Sequence, residues 1–276
     1  MRQFSNTYIF IFSAVMVMIV AVLLSFVSQQ LKPRQQRNEE VEQMRNILAS
    51  VNITSTAANA EKLFDQYITE SFVINPDGKR NKVRKPFEVD LKKQTSMIVD
   101  INSLREELVV RKVSPFKRII SGQTDTAKAD EAQVLSRISE IERSLELPVY
   151  ICNKENKEYY VFALRGKGLW GPIWGYISLA DDFNTVYGAY FDHKSETPGL
   201  GAEIKTSPFQ QQFRNKKLYD ENNQFVSIQV IKGGASESNP HGVDAVSGGT
   251  ITSKGLEKML QDWLSQYNTF IQKQKN

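Results

Sequence analysis

The sequence predicts an α+β fold, in which a single N-terminal transmembrane helix precedes a mainly antiparallel sheet packed with helices. Three observations carry this prediction. Tyr8–Val27 contains no charge, Gly or Pro over twenty residues. From residue 147, short runs rich in Val, Ile, Tyr and Phe alternate with polar turns, as half-buried strands do. The chain then closes on apolar residues spaced by three and four, the signature of one broad helix face.

The elements follow in order. At 1.5 Å per residue, the first apolar run spans roughly 30 Å, the thickness of a bilayer's hydrocarbon core. It exceeds the roughly 7–15 residues of a signal-peptide core, which favours a retained anchor over a cleaved leader. The expected organisation is a short tail at 1–7, a transmembrane helix at 8–28, a polar stalk at 29–50 and a soluble domain at 51–276. Within the stalk, 39–49 reads as a helix with Val41, Met44 and Leu48 on one face. A second helix is expected at 57–69, where Leu63, Phe64, Tyr67 and Ile68 recur at helical spacing. "SFVINPDGKR" reads as a strand entering a Pro-Asp-Gly turn, Lys79–Lys85 as a solvated basic loop, and 126–145 as a charged helix.

"LPVYICN" and "EYYVFALRG" form an expected hairpin turning at Lys154–Lys157, followed by strands at "WGYISLA", "TVYGAYFDH" and "QFVSIQVIKG". The last helix, 252–273, carries Leu256, Met259, Leu260, Trp263, Leu264, Tyr267, Phe270 and Ile271 toward that sheet. The formal charge of +4 is too small for a nucleic-acid partner, and no basic run interleaved with aromatics supports one. The single cysteine, Cys152, excludes an internal disulfide and is expected buried in a strand.

Three stretches carry candidate chemistry. "GKGLWG", Gly166–Gly171, matches G-x-G-x-x-G, but Pro172 and a strand follow where a dinucleotide site needs a helix. Its glycines are expected to let Trp170 and Trp174 pack closely, or to let a ligand approach the backbone. "SETPGLGAEI", 195–204, offers a turn with positive φ at Gly199, exposed N–H groups and an apolar Leu200 tip suited to a flat ring. His193 and His241 are too few for a metal site, and none is expected. "VDAVSGGTITSKG", 243–255, places Gly248 and Gly249 immediately before a helix start, an arrangement that favours phosphate. No Lys follows the glycines, so it is not a P-loop. A helix cap accounts for Thr252 or Ser253 but not for Thr250 behind two glycines, with Asp244 upstream.

"DAVSGGTIT" resembles the D-x-x-[ST]-G-[AS]-T signature of proteins that carry covalent FMN, with Gly249 where Ala is usual and Ala245 where Gly is common. Together with "GLWGPIWGYISL", "ETPGLGAEI" and "KKLYDE", the chain resembles the NqrC family of the Na+-translocating NADH:quinone oxidoreductases. That likeness covers the anchor and is dense from 147 to the end. It implies FMN bound to Thr250 through a phosphoester, and a phosphate turn shaped by Ser247, Gly248 and Gly249. Asp244 would be read by a flavin transferase that moves FMN from FAD. Glu196, Thr197, Gly199 and Leu200 would line the ring, with Leu169 and Trp170 nearby. No residue need act as acid or base, since the flavin carries the chemistry.

The resemblance further implies a bacterial inner-membrane complex with subunits A, B, D, E and F. Electrons would enter from an iron centre of subunits D and E and leave to the flavin of NqrB. The alternatives are the RnfG component of the Rnf ferredoxin:NAD+ complex, or a flavin-free anchored scaffold in which "SGGT" merely starts a helix. For sidedness, Arg2 against Lys32, Arg34 and Arg37 favours a cytoplasmic domain, but the positive-inside rule weakens for long domains. The resemblance favours the periplasmic or outer side.

Overall fold

The computed structural model describes residues 5–113 and 124–275. Arg2, which enters the charge count above, lies outside them. The chain divides into two compact units, Met1–Met44 and Arg45–Asn276. The first unit holds most of helix α1, Asn6–Ser50, the one described helix long and apolar enough to cross a membrane. The expected stalk is helical throughout, and Pro33 lies inside α1. Proline forfeits one backbone bond, a local loss, while the flanking Gln, Arg, Glu and Leu are all good helix formers.

In the second unit, α2 (Ala60–Tyr67) leads into β1 (Ile68–Ile74). The Pro76–Gly78 turn then returns the chain to the two-residue β2 (Arg80–Asn81), with Gly78 at φ +77°. Helix α3 (Leu91–Val113) has no counterpart among the expected elements, although Asp90 caps it by accepting from the N–H groups of Lys92 and Lys93. Its buried face, with Ile98, Ile101 and Leu108, keeps helical spacing. Helix α4 (Thr124–Ser144) follows, and Glu142 pairs with Arg105 of α3 at 2.7 Å.

Four consecutive antiparallel strands then extend the sheet: β3 (Leu147–Lys154), β4 (Lys157–Lys167), β5 (Pro172–Leu179) and β6 (Val186–His193). The sheet order is β2-β1-β3-β4-β5-β6. Glu155 and Asn156 both sit at positive φ in the two-residue β3–β4 turn, the mirror-image turn that matches strand twist. The β4 run "VFAL" is buried without alternation because both faces of the sheet are covered. Val149, Phe162 and Leu164 join the core beneath the last helix, while Phe64 of α2 meets Tyr150 on the opposite face. Cys152 is buried in β3 as expected, and burial pushes its thiol up to about 11.

The fifth expected strand is a correction. Only Gln229–Ile231 (β7) is extended, and it pairs in parallel with β8 (Gly242–Asp244), outside the main sheet. Ser227, at φ +65°, interrupts the apolar run just before it. Between β6 and β7 lies the short α5 (Ser207–Gln211).

The closing helix α6 (Thr250–Lys275) lies along β4. Trp263 donates its indole N–H to the Arg165 carbonyl at 2.6 Å, and the Tyr267 hydroxyl reaches Pro148 and Ala163 carbonyls. At Gly255 a Cβ would overlap the Lys167 carbonyl oxygen. Alanine improves helix propensity by about 1 kcal/mol, but forcing the helix off the hairpin costs about 1–3 kcal/mol. Gly255→Ala is therefore expected to lower stability, as checked by urea denaturation of the purified chain.

Candidate functional site

Three segments converge at the start of α6: the β4–β5 turn at 168–171, the loop at 195–201, and the turn at 246–249. The G-x-G-x-x-G stretch is the β4–β5 hairpin, with the Gly168 N–H bonded to the Gly171 carbonyl at 2.8 Å and no helix behind it. Its glycines do not stand against Trp170 or Trp174: a Cβ at Gly166 would meet Met259 and one at Gly171 the Ser195 hydroxyl. Gly168 admits a carboxylate: a Cβ there would stand 2.5 Å from Glu196 Oε1.

Glu196 ties the three segments together. It is buried, and Oε1 accepts the N–H groups of Trp170 at 2.9 Å and Gly171 at 3.3 Å. Its other oxygen accepts the hydroxyl of buried Thr252 in the first turn of α6. Gly201 leaves room for this pair, because a Cβ there would overlap the Thr252 hydroxyl and approach Glu196 Oε2 to 2.6 Å. Burial raises the Glu196 pKa, but bonds from Thr252 and from the backbone of Trp170, Leu169 and Gly171 outweigh it and hold it below the usual carboxylate range. Glu196 is thus an anion at neutral pH.

The "SGGT" stretch forms a tight turn closed by the Gly249 N–H on the Val246 carbonyl at 3.0 Å. Gly248 sits at φ +72° under the Leu200 side chain, and a Cβ on it would stand 2.5 Å from Leu200 Cδ2. Gly249 is buried with its backbone beside the Gly201 N–H. The first helical bond of α6 runs from the Ser253 N–H to the Gly249 carbonyl, so the N–H groups of Thr250, Ile251 and Thr252 precede the helical ladder. Ser253, not Thr252, back-bonds to the turn by accepting the Val246 N–H at 3.0 Å. Thr250, half-buried, stands at the first helical position.

Gly199 takes the expected positive φ, +74°, and the Thr197 carbonyl accepts the N–H groups of Leu200 and Ala202, fixing that loop. Leu169, Trp170, Leu200 and Ile251 are all substantially exposed around the convergence. Ile251 is an addition to the expected set; its place beside Thr250 is the signal that could have found it. Thr252 enters the sequence reading only as a cap. Asp244 stands apart from this cluster: its carboxylate accepts the Ala235 N–H at 2.6 Å and braces the 233–235 loop. Both histidines engage backbone, His193 Nδ1 accepting the Glu196 N–H and His241 Nδ1 meeting the Lys217 carbonyl.

These features suit a flavin phosphate. A glycine-rich turn, helix N–H groups outside the ladder and an adjacent hydroxyl fit a phosphate, while exposed apolar side chains fit a flat ring. Comparisons with known proteins agree. A family profile described as FMN-binding domain matches residues 168–265, which include all eleven candidate residues. The crystal structure of the C component of the Na(+)-translocating NADH-quinone reductase from Parabacteroides distasonis is 33% identical, covering 87% of this chain and 96% of that one, with a TM-score of 0.66. The chain belongs to the NqrC family. The corresponding Na(+)-translocating NADH-quinone reductase component of Vibrio vulnificus is 28% identical over 90% of this chain and 86% of its own length. Shewanella oneidensis NqrC shares the fold, with a TM-score of 0.61 at 24% identity over 88% of this chain and 99% of that one. NqrC thereby takes precedence over the Rnf alternative.

Because Glu196 has a depressed folded pKa, its stabilising contribution is present above the unfolded value of 4.5 and is lost as pH falls through the folded one. Glu196→Gln is expected to cost about 1–3 kcal/mol at neutral pH. Chemical denaturation across pH should show that deficit narrowing below 4.5.

Proposed function

We propose that this NqrC-family chain is a membrane-anchored electron relay carrying FMN esterified to Thr250. The single observation that carries this reading is the convergence on Thr250 of a glycine-rich turn, a helix N-terminus and an exposed apolar rim, all inside the FMN-binding match. Bound there, FMN would supply electron transfer in single steps.

The chain's own residues hold and orient. Gly248 and Gly249 would let the backbone approach the phosphate, and the N–H groups at the start of α6 would offset its remaining negative charge. Leu200, Leu169 and Trp170 offer apolar surface to the ring, and Glu196 fixes the loops that present them. Attachment from FAD would put the Thr250 oxygen on the FMN phosphate in place of AMP, with loss of the hydroxyl proton. The ester removes dissociation as a route for losing a shallow cofactor. Shallowness itself suits a relay, which exchanges electrons with neighbouring subunits and binds no substrate.

The α1 segment would anchor the chain in the bacterial inner membrane, with the soluble domain on the periplasmic side. Partners would be the remaining subunits A, B, D, E and F, and a flavin transferase during maturation. Asp244 would serve the transferase through the loop it braces. Anchoring rests on the length and apolarity of α1.

Thr250→Ala is expected to abolish flavin fluorescence that survives in SDS gels while leaving far-UV circular dichroism unchanged. Persistence of a one-FMN mass increment in that variant contradicts the assignment. Asp244→Ala should lower flavin occupancy when the transferase is limiting, and equal occupancy argues against its role. For sidedness, alkaline phosphatase fused after Asn276 should be active and green fluorescent protein dark; the reverse pattern overturns the periplasmic placement alone.

A further inference from the structure

A polar cavity lies away from the flavin site. It opens between the last turns of α1 (residues 45–50), the 52–55 loop, β6 and α5, with a volume of about 350 Å³. That size is ordinary for a small-molecule site and far exceeds a single water. Arg45 and Arg214, both exposed, stand in its wall, and neither takes part in an ion pair among the described residues. No described lining residue is acidic, so two positive charges face the cavity uncompensated.

A second observation is independent of those charges. Asn46 is only 6% exposed, yet its side chain makes no hydrogen bond among the described residues, and it lines this cavity. Its amide atoms are not sealed from solvent, so they open onto the cavity and are free to bond a guest there. Thr54, Ser55 and Ser207 add hydroxyls to the same wall. The donor set of two guanidiniums, one amide and three hydroxyls matches the oxygens of a phosphate group. The volume beyond the phosphate leaves space for a polar organic body.

We propose that this cavity binds the phosphate of a small organic phosphate ester, with Arg45 and Arg214 taking its charge and Asn46 bonding an oxygen. A soluble ester or a lipid headgroup could present that chemistry, and the two are separable by experiment. The full chain with its flavin, in detergent, is titrated calorimetrically with glycerol 3-phosphate. In parallel it is reconstituted in nanodiscs of phosphatidylcholine with or without phosphatidic acid, and retained lipid is read by native mass spectrometry.

Binding is expected in at least one arm, weakening as salt rises. Glycerol 3-phosphate alone identifies a soluble ligand, and phosphatidic acid retention a lipid one. The double variant Arg45→Gln with Arg214→Gln removes two charge-assisted contacts at exposed positions and should lower affinity by at least about tenfold. Asn46→Asp should lower it as well, by setting a negative charge against the phosphate. Unchanged flavin content and thermal midpoint in both variants show that the fold is intact. Failure of the wild type to bind either probe at low salt overturns the proposal, as does equal binding by the charge variants. Flavin attachment at Thr250 stands or falls separately.

Discussion

The Glu196 carboxylate is the constraint on which the functional end of this molecule depends. A buried anion is costly unless its oxygens are satisfied, and here a hairpin backbone and a helix-side hydroxyl satisfy them. Because the donors come from β4–β5 and from α6, meeting the carboxylate's demand brings sheet and helix into register. The glycines follow from the same constraint. Gly168 and Gly201 leave room for the carboxylate and its Thr252 partner, and Gly255 lets the helix approach Lys167. The turn before Thr250 is thus held by rigid elements on both sides.

That arrangement separates support from function. The side chains that secure the site, Glu196, Thr252 and Ser253, are buried, whereas Leu169, Trp170, Leu200 and Ile251 remain open. An acid–base enzyme encloses its reacting groups to exclude water. A carrier that passes electrons between fixed neighbours gains from the opposite arrangement, with a firm base and an accessible rim.

Much of this is legible in the sequence because the signals are local. The apolar spacing of Leu256–Ile271 marks the last helix, Pro172 after "GKGLWG" excludes a dinucleotide turn, and Gly199 announces a positive φ. What escapes depends on distant partners. Nothing near Glu196 shows that its oxygens meet residues 170, 171 and 252, so it reads as a ring-lining residue. Helix α3 is hidden because Lys92, Lys93, Arg105 and Glu106 dilute its apolar stripe, although Asp90 before Leu91 is a capping signal. The run at 224–233 has strand composition, yet Ser227 turns it aside: Phe225 makes only an isolated bridge to Tyr219, and Gln229–Ile231 alone forms a strand, paired with β8. The stalk at 29–50 reads as polar, and its helix runs through Pro33 because one missing hydrogen bond does not stop a helix of good formers.

The most direct test of the account is to locate the flavin on the chain. Trypsin should release Gly233–Lys254, which carries Ser236, Ser238, Ser247, Thr250, Thr252 and Ser253. Fragmentation of that peptide from the native protein is predicted to place one FMN phosphoester on Thr250. An unmodified peptide, or FMN on any other of those hydroxyls, would contradict the central claim.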